Sequence, residues 1–148
     1  TEAYEEIARL NEQLRGENLR LGAELDVARR LQMMVLPPDK ETRRIPELDI
    51  ASYMRPADEV GGDYYDTLRI NPTEVALIIA DVSGKGTTAA FHMSQMKGIF
   101  HSLAQQETQP TNFMVRANQA LAFCLERGSF ISATYFVVNS TQTVEPTL

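Results

Sequence analysis

The sequence contains a single cysteine, Cys124, so no disulfide can form within the chain and the cysteine spacings of zinc sites are absent. We therefore expect a reducing compartment, the cytoplasm. Basic residues are also scarce, with 14 Lys and Arg against 20 Asp and Glu and a net charge of -6. Because binding to nucleic acid needs a basic surface, this balance argues against a nucleic-acid partner. No apolar run approaches the roughly 20 residues that span a bilayer, which argues against a membrane span.

The chain has 148 residues, of which 43% are apolar, enough for one folded domain with a core. Residues 1–36 contain no proline and predict one long helix. Its apolar residues recur every seven positions, which is typical of a coiled coil and predicts a homodimer. Packing of this helix on its own domain is the alternative. The repeat consists of Ile7, Leu14, Leu21, Ala28 and Val35, with Leu10 and Leu31 on the second position.

Leu36-Pro37-Pro38 ends the helix, because proline cannot donate a backbone hydrogen bond. The predicted domains are therefore residues 1–36 and 37–148. Apolar periodicity in the second part predicts an α+β fold. Residues 75–80 are apolar throughout and are predicted to be buried on both faces. The predicted strands are 48–54, 64–70, 75–80 and 132–138, and the predicted helices are 87–104, capped by Thr87 or Thr88, and 111–126, capped by Thr111 or Asn112.

Two acids stand in glycine-bearing loops: Asp63 follows two glycines, and Asp81 ends the apolar run just before Val82-Ser83-Gly84. A single Asp beside Gly is usually a turn residue, but carboxylate and carbonyl oxygens also suit Mg²⁺ or Mn²⁺. Both acids flank one predicted hairpin that turns at Asn71-Pro72, with Asp63 eight residues before Asn71 and Asp81 nine after Pro72. Antiparallel pairing would bring them side by side, which predicts a metal site.

These motifs resemble the RsbU/SpoIIE-type branch of the PPM (protein phosphatase 2C-like) metal-dependent serine/threonine phosphatases. The resemblance covers roughly residues 27–138 and rests on several motifs in the right order. The segments that carry it are ARRLQMMVLPP, LDIASYMRPADEV, GGDYYD and ADVSGKGTTAAFHMSQMK.

The resemblance implies an α/β/β/α sandwich, so the long helix would be followed by part of such a sandwich. It implies that Asp81 and the carbonyl of Val82 bridge two Mn²⁺ or Mg²⁺ ions, while Asp63 binds one of them. A metal-activated water would be the nucleophile, with no catalytic side chain. The implied substrate is a phosphoserine or phosphothreonine protein, a partner-switching regulator of the anti-anti-sigma type. The helix pair after Asp81 would shift to complete the metal site.

The sequence departs from this pattern where the family has an Ala-Gly-His segment, an Asp-Gly-x-x-Glu segment and a late metal-binding Asp, none of which is present. We therefore expect an N-terminal part of the catalytic domain that is inactive alone, with an exposed sheet edge that favours dimerisation. The alternative is a degenerate phosphatase domain that serves as a non-catalytic dimerisation and signalling module.

Other polar residues favour plainer interpretations. Asp66 could support the metal site or simply start a strand, and Glu59 is more typical of a turn. Lys85 lacks the upstream glycine spacing of a nucleotide-binding loop, which excludes that function. The remaining candidates are predicted to be structural: Tyr64 and Tyr65 as packing residues, Cys124 as a buried thiol, and His92 and His101 as surface or hydrogen-bonded core histidines with no acid near them in sequence.

Overall fold

The computed structural model describes residues 1–38, 45, 48–54 and 60–139. The predicted α+β class is confirmed, with a long helix followed by a three-stranded antiparallel sheet and two helices that pack on one of its faces. This is one sheet and one helical layer, as expected for part of an α/β/β/α sandwich. The elements in chain order are α1 (Glu2–Val35), β1 (Asp63–Asn71), β2 (Glu74–Val82), α2 (Gly86–Leu103), α3 (Pro110–Cys124) and β3 (Ile131–Asn139).

Helix α1 is 34 residues long and ends where predicted, at Leu36, whose extended backbone precedes Pro37. Only its last two turns pack on the domain, through Ala28, Gln32 and Val35, and they lie against α2. The rest of the apolar repeat is open to solvent, since 54% of Ile7 and 60% of Leu14 are exposed. The helix is thus confirmed, and the coiled-coil partner stays a prediction.

Strands β1 and β2 form a hairpin around the predicted turn, in which the Asn71 side chain accepts a hydrogen bond from the amide of Thr73. β3 pairs with the other edge of β2, so the order is β1-β2-β3. Helices cover one face of the sheet. The other face, here called the open face, carries alternate residues of the three strands, among them Tyr65, Ile79 and Phe136.

The structure corrects two predictions about this sheet. Residues 75–80 are not buried on both faces, because 62% of Ile79 is exposed on the open face. Residues 48–54 are not a strand. Part of this segment, residues 50–54, instead lines a cleft of about 760 Å³ over the open face. The alternation of apolar and polar residues did not indicate sheet pairing, because this segment borders the cleft and pairs with none of the described strands.

Helix α2 follows a tight turn in which Gly84 and Gly86 have positive φ angles of 98° and 69°, a conformation that favours glycine. The predicted side-chain caps are wrong. Lys85 is the N-cap of α2 without a side-chain cap bond, and the Gly86 amide donates to the carbonyl of Val60 instead. α3 begins with Pro110 at its first position after Gln109, upstream of the predicted caps.

The core lies between the covered face of the sheet and the two short helices. α2 buries Ala89, Met93, Met96 and Phe100 along one face, and α3 buries Phe113, Ala117 and Leu121. Phe113 stacks on Tyr135 of β3 with ring centroids 3.9 Å apart, and Phe100 meets both rings edge-on. Cys124 is exposed, so the predicted buried thiol is wrong. The helix ends at this residue, and Leu125 turns inward in its place.

Two buried tyrosines differ in how their hydroxyl groups are satisfied. Tyr64 donates to the carboxylate of Asp66 at 2.8 Å, whereas the Tyr135 hydroxyl has no hydrogen-bond partner among the described residues. We expect Tyr135→Phe to be neutral or to stabilise the fold by up to about 1 kcal/mol, because an unpaired buried hydroxyl is costly. Tyr64→Phe should cost about 1–3 kcal/mol, since Asp66 loses a donor. Urea unfolding of both variants gives the comparison.

The same pair predicts how stability depends on alkaline pH. Burial raises the pKa of both tyrosines, helped by the charge of Asp66 at Tyr64 and of Glu74 at Tyr135. The unfolded chain loses these protons near pH 10 and the folded chain holds them to higher pH, so stability should fall above about pH 10. Tyr135→Phe should make that fall shallower. An unchanged pH dependence in this variant would contradict the prediction.

Candidate metal centre

Asp63 and Asp81 are directly opposite each other in the antiparallel pairing of β1 and β2, so the two acids lie side by side as predicted, helped by a register shift between Arg69 and Asn71. Both side chains are exposed and lie at the end of the sheet where β1 begins and β2 ends. Directly opposite residues have Cβ atoms about 4.5–5.5 Å apart and share a face of the sheet. The two carboxylates therefore converge on the open face, at the edge of the cleft that it lines.

The backbone of Val82 lies tightly against Gly62, the residue before Asp63. The Val82 amide donates to the carbonyl of Gly62 at 3.0 Å. A Cβ built on Gly62 would stand only 2.1 Å from the Val82 carbonyl oxygen, which is closer than any side chain allows. Glycine at position 62 thus lets the Val82 carbonyl lie against the backbone of the residue before Asp63, while Val82 itself directly follows Asp81.

The loop before Asp63 is held by three different elements. The carbonyl of Val60 accepts from the Gly86 amide at the start of α2, and that of Gly62 accepts from β2. The carbonyl of Gly61 accepts from the side chain of Gln32 on α1 at 3.3 Å. Gln32 was not predicted from the sequence, because a polar residue in the apolar repeat of a helix gives no sign of its distant partner.

The loop after Asp81 is tied to the start of β3. The Ser83 amide donates to the carbonyl of Phe130 at 2.9 Å, and the Phe130 amide donates back to the Ser83 hydroxyl at 2.8 Å. This reciprocal pair fixes the turn that leads into α2. Ser83 is a second residue that sequence reasoning missed.

Asp66 does not support the pair of acids. It lies within β1 on the covered face, 3% exposed, and points away from the open face. The amide of Thr67 donates to one carboxylate oxygen at 2.8 Å, and the other lies 2.8 Å from His101 Nε2 and 3.4 Å from Lys97 Nζ. Lys97 also donates to the carbonyl of Val35 at the end of α1.

The structure places both histidines whose roles were predicted from the sequence. His101 is hydrogen-bonded, as favoured, and its partner Asp66 is 35 residues away, which the search for acids near it in sequence could not reveal. His92 is a buried core histidine, 2% exposed, whose Nδ1 lies 2.8 Å from the side-chain oxygen of Gln95. Glu59 lies outside the described residues.

The donors that meet at this end of the sheet fit part of a hard-cation shell. Two exposed carboxylates and a carbonyl supply oxygen ligands, and Mg²⁺ is commonly bound through only one or two carboxylates plus water. Among the residues that the structure describes, no group of three or more His, Cys, Asp or Glu side chains could hold a metal ion. The residues present therefore suit Mg²⁺ or Mn²⁺, with an incomplete set of protein ligands.

Comparison with known proteins places the chain in a family. The family model described as Stage II sporulation protein E (SpoIIE) matches residues 71–144, a span that contains Asp81 and Val82 but begins after Asp63. The chain belongs to the SpoIIE family. The resemblance seen in the sequence motifs is thereby confirmed.

Two relatives of this SpoIIE-family chain are informative. It is 29% identical over 136 residues to Phosphoserine phosphatase RsbU of Bacillus subtilis (strain 168), a match that covers 90% of this chain and 38% of RsbU. It is 33% identical over 99 residues to Protein IcfG of Synechocystis sp. (strain ATCC 27184 / PCC 6803 / Kazusa), covering 63% of this chain and 14% of IcfG. The chain thus spans well under half the length of either relative. None of the helices that the structure describes is long and apolar enough to cross a membrane.

Proposed function

We propose that this chain is part of a metal-dependent serine/threonine protein phosphatase. The observation that carries the proposal is the pairing of Asp63 with Asp81 beside the Val82 carbonyl. Its similarity to a phosphoserine phosphatase over 90% of the chain supports the same activity. The substrate would be a phosphoserine or phosphothreonine on a partner-switching regulator of the anti-anti-sigma type, and the setting would be the cytoplasm.

Asp63, Asp81 and the carbonyl of Val82 would hold the cations, Mn²⁺ or Mg²⁺. Bound there, two such ions supply Lewis-acid stabilisation of the phosphoryl oxygens and a nucleophile at neutral pH. The protein contributes fixed, oxygen-only ligands: β-sheet pairing sets the separation of the carboxylates, and Gly62 sets the approach of the carbonyl. The negative charge of the two acids attracts cations. The two acids pair with each other, so no basic residue stands directly opposite either of them on the neighbouring strand of the hairpin.

Two acids are few for two cations, so the complete site would need further carboxylates. We therefore expect little or no hydrolysis by this chain alone. The open face points to the same need, because 62% of Ile79 and 50% of Phe136 are exposed there. A second sheet that packs on this face would bury them and bring the remaining ligands.

Self-association through α1 is part of the proposal. The apolar repeat of the helix is uncovered along most of its length, and a second copy of the same stripe would bury it in a parallel coiled coil. The free edges of the sheet offer a second place for pairing. Analytical ultracentrifugation at high concentration should find dimers, and a monomer throughout would remove this part of the proposal.

A non-catalytic dimerisation and signalling module is the second candidate. It is favoured by the absence of a third acid beside Asp63 and Asp81 within the described ranges. In that case, the exposed helix and sheet surfaces would make protein contacts, and the acids would bind no metal.

The experiment that separates the two candidates measures phosphate release from a phosphoserine protein by the intact protein that contains this sequence. We expect hydrolysis with Mn²⁺, a loss of at least about a hundredfold when a chelator removes the metal, and recovery when Mn²⁺ is restored. A heat-unfolded sample with the same Mn²⁺ concentration is the control for phosphate release by the metal ion alone. If the intact protein releases no phosphate with Mn²⁺, or if the chelator does not change the rate of release, the non-catalytic module is favoured.

A further inference from the structure

Gln32 occupies a position where a polar side chain is costly. It is 2% exposed and lies between Ala28 and Val35 on the buried stripe of α1. Its side-chain oxygen has no hydrogen-bond partner among the described residues. Burying an unpaired amide oxygen costs about 1–3 kcal/mol, and leucine or methionine at this position would avoid that cost. The amide nitrogen of Gln32 offsets this cost through a hydrogen bond that an apolar residue could not make.

The nitrogen of that amide donates to the carbonyl of Gly61 at 3.3 Å, across 29 residues of sequence. Gly61 is the middle of the three-residue loop 60–62, whose outer carbonyls are bound by the amides of Gly86 and Val82. Asp63 follows directly. Gln32 is thus the side chain that holds the centre of the loop, and the two backbone bonds on either side of it tie that loop to the elements around the candidate metal centre.

We propose that Gln32 is a positioning residue for this centre. Its bond to Gly61 fixes loop 60–62, and through the Gly62–Val82 contact it fixes both Asp63 and the Val82 carbonyl. The inference rests on the proposed function, because it assigns Gln32 a role toward the cation that those groups would bind. Partners that orient metal ligands typically contribute tenfold to a hundredfold in metal affinity when they are removed.

The test compares two substitutions that each cut one contact between α1 and the domain. Gln32→Met keeps the length, volume and helix propensity of the side chain but removes the donor to Gly61. Lys97→Met is the control, because Lys97 Nζ binds the carbonyl of Val35 at 2.7 Å. It also removes the ion pair of Lys97 with Asp66, which lies on the covered face away from the loop. Calorimetric titration of each folded chain with Mn²⁺ alone should show at least about tenfold weaker binding for Gln32→Met and less than about twofold change for Lys97→Met. Gln32→Leu replaces the first variant if that one does not fold.

Equal weakening by both variants would show that the attachment of α1 in general matters, and would overturn the specific role of Gln32. Unchanged Mn²⁺ affinity in Gln32→Met would also overturn it. Wild-type chain that binds no Mn²⁺ would count against the metal site of the proposed function, and amide hydrogen exchange without metal would then decide the inference.

That exchange measurement follows the amides of Val82 and Gly86, which bind the loop carbonyls on either side of Gly61. Exchange at both should be at least about tenfold faster in Gln32→Met, because the loop opens more often without its central bond. The Leu125 amide, bonded to Leu121 at the end of α3, is the internal control and should not change. Unchanged exchange at Val82 and Gly86 would overturn the positioning role whatever the metal does.

Discussion

Asp81→Asn is expected to reduce metal-dependent phosphate release by the intact protein at least about a hundredfold, because several kcal/mol of transition-state stabilisation depend on the cation that Asp81 would hold. Asparagine keeps the shape of the side chain and removes its charge. In the folded chain described here, Mn²⁺ binding measured by calorimetry should weaken in parallel. Loss of both properties together is the signature of a metal ligand.

The same substitution should leave the metal-free fold intact or slightly more stable. Asp63 and Asp81 are direct cross-strand neighbours, and like charges in that arrangement destabilise a sheet, so removing one should gain about 0.2–1 kcal/mol. Urea unfolding without metal measures this change. A variant that loses hydrolysis and gains stability cannot owe its inactivity to unfolding, which makes the pair of measurements decisive.

Ser132→Ala is the matched control, since Ser132 is the β3 partner of Asp81 in the same sheet and carries no charge. It should leave phosphate release within about twofold of the wild type, as expected for a surface substitution. Hydrolysis that survives Asp81→Asn, or that falls equally in Ser132→Ala, would show that Asp81 is not a metal ligand.

Local signals in the sequence were sufficient for most elements and for the pairing of the two acids. Pro37 marked the end of α1, and the turn at Asn71-Pro72 placed Asp63 and Asp81 at the same end of one hairpin. Counting from the turn brings the two acids near each other, but their direct pairing also needs the register shift between Arg69 and Asn71, which no sequence pattern indicated. The family assignment rested on the same loops.

Long-range contacts were not readable in this way. Asp66 was correctly placed in a strand, but its bond to His101 depends on how α2 crosses the sheet, which no local pattern records. Cys124 follows the apolar spacing of α3 yet is exposed, because the helix ends there. Residues 48–54 alternate like a strand although they pair with none of the strands that the structure describes. In each case the local pattern did not contain the contacts or the helix end that decide where the residue lies.

Gly62→Ala is expected to destabilise the chain by about 3 kcal/mol, at the upper end of the usual cost of overpacking. The new methyl group would meet the Val82 carbonyl oxygen at 2.1 Å and the Val82 carbonyl carbon at 2.8 Å. Both atoms belong to the backbone of β2, so no side-chain rotation can relieve the clash. The strand ends must separate, which also weakens the bond from the Val82 amide to the Gly62 carbonyl.

Gly61→Ala is a control one residue away, because a Cβ there meets nothing within 4 Å and the backbone keeps its carbonyl for Gln32. It should change stability by less than about 0.5 kcal/mol. Urea unfolding gives both values, and calorimetry with Mn²⁺ should show weakened binding only for Gly62→Ala, since that substitution displaces the proposed carbonyl ligand. Equal stability of the two variants would contradict the close approach of the strands, whereas a destabilised Gly62→Ala chain that still binds Mn²⁺ normally would remove Val82 from the proposed set of ligands and leave the two carboxylates as its members.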